Sequence, residues 1–112
     1  MSASGDDITV DEAVELVGAG AYLLDVREDN EFAAGHAALA THLTLSNVPD
    51  AANALPRDRV IVCVCRSGGR SGRAAAFLAE LGYDSRNVAG GMVAWVEADY
   101  PITSDEPDAR II

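Results

Sequence analysis

The 112-residue sequence contains no lysine. Its eight basic residues are all arginine and face eighteen acidic ones, for a net charge of −10. That field repels nucleic acid and anionic membrane surfaces, so neither is expected as a partner. Any anion bound here has to be held by a local positive island. Long hydrophobic runs are missing too: nothing approaches the roughly eighteen apolar residues of a membrane span. The first residues, Met1-Ser2-Ala3-Ser4-Gly5-Asp6-Asp7, lack the basic and apolar regions of a signal peptide. Cysteine is scarce. Cys63 and Cys65 stand one residue apart on a valine-rich run, and side chains so spaced on a strand have Cα atoms ~6.5–7 Å apart, at or beyond the reach of a disulfide. Two unbridged thiols fit a reducing, cytoplasmic setting. The two histidines, His36 and His42, form no zinc set with these cysteines, so no metal or other cofactor is expected. Repeats, low-complexity tracts and linkers are also absent.

What is present fits a single domain spanning 1–112, its core at about 8–100, compatible with a monomer. Apolar residues make up 49% and charged ones 23%, a soluble globular profile. Thr9 and Glu12 have capping-box spacing, and Ala13, Leu16 and Val17 continue as a helical stripe toward Gly18 and Gly20. Tyr22 to Val26 reads as a buried strand. Asn30 is expected to cap a short turn stopped by Gly35, and Thr41 to Leu43 as a weak strand. Ser46 to Leu55 is helix-like but interrupted by Pro49. Val60 to Cys65 is the strongest strand signal, apolar on both faces as a central parallel strand is. A helix follows with the stripe Ala74, Phe77, Leu78 and Leu81 and with Gly82 past its end. Asn87-Val88 reads as a last short strand, and Met92, Val93, Trp95 and Val96 as a closing helix. The acidic tail from Ser104 to Arg110 is expected to fray. Strands alternating with helices imply an α/β fold, a parallel sheet covered on both faces.

The chemistry is concentrated where the central strand passes into a helix. Ligands of open α/β sheets bind beyond the carboxyl ends of the strands, where Cys65 falls. Arg66-Ser67-Gly68-Gly69-Arg70-Ser71 follows without one apolar side chain. The paired glycines allow backbone conformations that turn successive N–H groups inward as an anion nest, and the helix dipole adds about half a positive charge. Arg66, Arg70 and Arg73 supply the positive island. A free cysteine is only a few per cent thiolate at neutral pH, and such surroundings lower its pKa to about 3.5–7.5. Cys65 is therefore the candidate nucleophile.

Read together, LLDVRE (Leu23 to Glu28), EFAAGH (Glu31 to His36), VCRSGGRS (Val64 to Ser71) and ELGYDSRNVAGGMVAW (Glu80 to Trp95) resemble the single-domain rhodanese-like proteins over nearly the whole chain. The resemblance implies a five-stranded parallel sheet with helices on both faces. It also implies a sulfurtransferase in which Cys65 takes a sulfane sulfur as a persulfide from a donor such as thiosulfate and passes it to cyanide or a thiol. The amides of Arg66, Ser67, Gly68, Gly69 and Arg70 would then cradle the terminal sulfur, with Ser71 closing the loop. Arg66 and Arg70 would attract a small anionic donor, and an acceptor protein or thiol would complete the cycle. Asp25, Arg27 and Glu31 are expected to form a structural bracket, His36 a structural hydrogen bond, and His42 a surface or half-buried position. Cys63 reads as a small buried hydrophobe, Met92 and Trp95 as core, and Arg73 as facing either the site or solvent. Ala37-Ala38-Leu39-Ala40 departs from the family's usual proline-and-glycine turn. Two other readings compete: a catalytically idle docking module, and a cysteine-dependent phosphatase or arsenate reductase. The latter needs a longer loop with arginine at the position that Ser71 holds.

Overall fold

The computed structural model describes residues 4–112. Five strands form one wholly parallel sheet: β1 (Asp6–Ile8), β2 (Tyr22–Asp25), β3 (Thr41–His42), β4 (Ile61–Val64) and β5 (Ser85–Val88), in the spatial order β1-β5-β4-β2-β3. Between them run α1 (Val10–Gly18), α2 (Asp29–Ala34), α3 (Val48–Ala51), α4 (Gly69–Glu80) and, after β5, α5 (Gly91–Glu97). The central β4 is buried along its whole length, which is why it reads as an unbroken apolar run.

The two-residue period of the strands sorts their side chains into two cores. Leu24, Val26, Ile61, Cys63 and Cys65 face one side and pack under α3 and α4 with Val48, Ala52, Ala74 and Leu78. Leu23, Val62, Val64 and Val88 face the other, under α1 and α5, with Ala13, Met92 and Trp95. The α/β class with a five-stranded parallel sheet and helices on both faces is thus as the sequence implies.

The structure alters several local expectations. The strand β1 carries no apolar alternation; its pairing with β5, Asp6 to Arg86 through Ile8 to Val88, comes from the sheet edge it completes. The cap of α2 is Glu28, whose N–H donates to Glu31 Oε1 at 3.0 Å, and Asn30 lies inside the helix. The segment 46–55 is broken, as expected, into 3-10 turns at Leu45–Asn47 and Ala52–Ala54 on either side of α3, and Pro49 sits in the first turn of α3, where its missing N–H leaves no bond unmade. Leu81 is 39% exposed because α4 has ended and it forms the cap rather than the stripe.

The acidic tail is docked, not frayed. Thr103 bridges His36, and the amides of Asp105 and Arg110 donate to the carbonyls of Ala33 and Ala34, each at 2.9 Å. Gly35 makes this close approach possible, since a Cβ there would fall on the Arg110 backbone.

Candidate active site

Val64 ends β4, and the chain then wraps Cys65 in its own backbone. Gly68 adopts φ +109°, a conformation that disfavours any side chain, and this turn aims its N–H at Cys65 Sγ, 3.1 Å away. Gly69 does not share that role: it is the first residue of α4 and has open space where a Cβ would be. The nest therefore needs one glycine rather than the pair. The Ser71 hydroxyl lies 3.3 Å from the sulfur, one turn into the helix. Burial pushes the Cys65 thiol up, but the Ser71 hydroxyl and the amides of Ser71, Gly68 and Ser67 outweigh it and hold the thiol below its ordinary value. Cys65 is only 1% exposed, its sulfur almost wholly enclosed by the loop. Its donors point inward, as an anion site requires.

A second helix braces the loop from behind. The first free amides of α5 donate to it, Met92 N to the Cys65 carbonyl at 2.8 Å and Val93 N to the Arg66 carbonyl at 3.0 Å. Gly91, at φ +58°, lets the two backbones meet: a Cβ there would come within 2.5 Å of the Arg66 carbonyl oxygen. The GGM sequence at 90–92 is thus part of the site's scaffold, 25 residues or more from the cysteine it supports. The sequence marks Asn87 only as a residue of the last strand. In the fold it is buried beside the loop, donating Nδ2 to the Gly68 carbonyl at 3.1 Å and accepting from the Ser71 hydroxyl at 2.5 Å.

The arginines divide differently from the expectation. Arg70 is held in a two-pronged ion pair with Glu31, at 2.7 and 2.9 Å. The Arg70 hydrogen bonds draw the Glu31 carboxyl down to about 2, against the smaller opposing effect of burial. Arg66 is exposed and turns its Nε to the Ile112 carbonyl oxygen at 3.1 Å. The Arg73 side chain has no hydrogen bond or ion pair among the described residues. It lines a hollow of about 400 Å³ with Leu45, Ser46, Val48, Pro49 and Phe77, along the face of α4 that descends from Arg70.

The bracket around Asp25 is structural, with one change of partner. Arg27 and Asp25 are fully buried and joined by Nη2–Oδ2 at 2.7 Å and by Nε to both carboxylate oxygens. Two further guanidinium protons go to the carbonyls of Glu31, from Nη1, and Gly35, from Nη2. Glu31 therefore contributes its backbone to the bracket and its side chain to Arg70, linking β2 to the cysteine loop through α2. His36 Nδ1 donates to the Phe32 carbonyl at 2.6 Å, and His42 Nε2 donates to the Arg27 carbonyl at 2.7 Å; both rings stack on Phe32. Cys63 is buried on β4, and burial, with the neighbouring Cys65, pushes its thiol up to about 12. The two thiols, two residues apart, are thus shifted in opposite directions. Among the described residues no cluster of His, Cys, Asp or Glu is placed to hold a metal ion, and no helix is long and apolar enough to cross a membrane.

A parallel sheet in this order, with a cysteine at the carboxyl end of its middle strand and a backbone anion nest closed by a helix N-terminus, defines a class of α/β domains built for a thiol that carries an anion. The family model described as "Rhodanese-like domain" matches residues 9–98. The chain belongs to that family. It is similar to a protein named "Sulfurtransferase" from Allochromatium vinosum, with 38% identity over 85 residues, covering 75% of this chain and 79% of the relative. It is also similar to "Thiosulfate sulfurtransferase GlpE" of Haemophilus influenzae, with 34% identity over 97 residues, 86% of this chain and 92% of that one. Among solved structures, a rhodanese-related protein from Thermoplasma volcanium superposes with a TM-score of 0.83 at 32% identity, covering 90% of this chain and 99% of the other. In the reduced CoADR-RHD of Bacillus anthracis the match, at 34% identity and a TM-score of 0.76, covers 80% of this chain but only 16% of that longer one.

Proposed function

We propose that this domain transfers sulfane sulfur through a persulfide on Cys65, with a small anion such as thiosulfate as donor and a thiol or cyanide as acceptor. One observation carries the reading: the inward-facing donors from Ser67, Gly68 and Ser71 converge on Cys65 Sγ. The names of the relatives from Allochromatium vinosum and Haemophilus influenzae support it.

In the first half-reaction the Cys65 thiolate attacks the outer sulfur of thiosulfate. The new S–S bond forms as the donor's S–S bond breaks, and sulfite leaves with that electron pair. The persulfide's terminal sulfur carries the negative charge, which the Ser67 and Gly68 amides accept in place of the thiolate's. In the second half-reaction an acceptor attacks that terminal sulfur and the Cys65 thiolate departs. No general base is needed once the thiol is ionised. Arg70, which feels the charge of Cys65 while paired with Glu31, and Arg66 are the guanidinium groups proposed to attract the anionic donor. A loop that closes on a single sulfur leaves little room for a tetrahedral phosphate, and Ser71 stands where an oxyanion-binding arginine would be needed.

Intact-mass measurement after incubation with thiosulfate tests the proposal. The expected result is a gain of one sulfur atom, lost on adding cyanide and absent from Cys65→Ala. A protein that takes up no sulfur at neutral pH while its thiol still alkylates would refute transfer and leave a docking module.

A further inference from the structure

The Cys65 thiol is the last member of a hydrogen-bonded chain that begins on the edge strand. Asn87 Nδ2 donates to the Asp7 carboxylate at 2.8 Å and to the Gly68 carbonyl at 3.1 Å. Both partners only accept, so they fix the amide's orientation: its nitrogen faces them and its Oδ1 faces Ser71. Gly72 leaves room for this side chain, since a Cβ there would lie 3.3 Å from Nδ2. The Ser71 hydroxyl stands 2.5 Å from Asn87 Oδ1 and 3.3 Å from Cys65 Sγ, and it owns one proton. The Oδ1 atom also only accepts, within a residue that is 3% exposed, and it takes that proton at the shorter distance. What Ser71 then turns toward the sulfur is a lone pair.

A neutral thiol matches that arrangement by donating S–H to Ser71 Oγ. A thiolate does not: to receive the Ser71 proton it has to draw it away from Asn87, whose buried oxygen is then left without a donor. We infer that Asn87 is a positioning residue that competes with Cys65 for the Ser71 proton, so that the thiol, held low by the loop's donors taken together, ionises less readily than it would without Asn87. The inference rests on the sulfur-transfer reading only for its consequence. A persulfide's inner sulfur is neutral and needs nothing from Ser71, so the network penalises the thiolate alone and leaves the persulfide unpenalised. Ionisation releases the S–H proton to water, and the help that Ser71 gives the thiolate comes at the expense of its bond to Asn87.

The other charged or titratable groups around Cys65 are Cys63 on β4, Arg70 on α4 with its partner Glu31 on α2, and Arg66 in the loop, which is turned toward Ile112. None of these is altered by substitutions at 71 or 87, while Asp7 on β1 loses its Asn87 donor in the Asn87 variants, a change that the Ser71→Ala background shares and so cancels. The test is the pH profile of iodoacetamide alkylation of Cys65 for the unaltered protein, Asn87→Ala, Asn87→Asp, Ser71→Ala and the two double variants. Asn87→Ala is expected to move the apparent thiol pKa down by about one unit, about tenfold faster alkylation on the acid side. That shift is expected to vanish in the Ser71→Ala background. A purely structural Asn87 predicts slower alkylation or none. An unchanged or raised profile in Asn87→Ala, or a shift that persists without Ser71, overturns the inference. Should Asn87→Ala fail to fold, Asn87→Asp decides: it keeps the acceptor, and its upward shift must be larger with Ser71 present than in the Ser71→Ala background. Alkylation alone judges this proposal, and sulfur uptake from thiosulfate separately judges the transfer reading.

Discussion

Replacing Glu31 by glutamine tests how the charge of the site is balanced. The carboxylate is paired with Arg70 through both oxygens, with side-chain exposures of 14% for Glu31 and 33% for Arg70. A carboxyl held at about 2 instead of 4.5 corresponds to about 3 kcal/mol at roughly 1.4 kcal/mol per pH unit. Screening at the one-third-exposed guanidinium reduces this to about 1–2 kcal/mol. The group is depressed in the folded state, so its contribution is complete above pH 4.5 and is lost as the pH falls toward 2. Urea unfolding followed by the single tryptophan, Trp95, is expected to show Glu31→Gln less stable by about 1–2 kcal/mol at neutral pH. That difference is expected to shrink steadily in acid. The same variant releases Arg70 beside the cradle. A freed positive charge at the mouth is worth roughly 1 kcal/mol in solvent-like screening, so KM for thiosulfate is expected to fall about fivefold. A stability gap that stays constant between neutral pH and pH 3 refutes the ion-pair assignment. An unchanged KM refutes the view that Glu31 neutralises the site.

Two further substitutions probe the scaffold. Gly91→Ala drives a methyl group into the Cys65 and Arg66 carbonyls at a positive φ, and is expected to cost about 3–5 kcal/mol through overpacking, strain and two weakened hydrogen bonds. Gly69→Ala meets nothing within 4 Å in a helical conformation, so thermal unfolding is expected to show it neutral or stabilised by up to about 1 kcal/mol; equal losses in both would refute the distinction between the two glycines. Arg27→Met leaves the Asp25 carboxylate buried without its partner, with an expected loss of about 3–5 kcal/mol in denaturant unfolding. A loss below 1 kcal/mol would show that Asp25 finds another donor or takes up a proton.

The sequence alone determined the class of fold and the position of the cysteine loop, because both depend on local patterns. Four apolar residues at Ile61–Val64 buried on both faces read directly as a central strand. A glycine-containing turn between that strand and an amphipathic helix reads as an anion nest, since the conformation of Gly68 and the helix end are properties of a few neighbouring residues. Thr9 and Glu12 formed the capping box expected of their spacing for the same reason.

The tertiary structure decided which groups meet across the sheet. Three arginines near a cysteine form a positive island on paper, but Glu31 and Ile112 engage two of them from distant parts of the chain. β1 exists because β5 offers it an edge, and the tail is ordered because Gly35 leaves room for its backbone. Asn87 gives no local signal at all: its place beside Ser71 follows from the register that sets β5 next to β4. Periodicity and turn chemistry are short-range and survive in one dimension. The pairing of a donor with an acceptor sixteen residues away exists only once the sheet has brought them together.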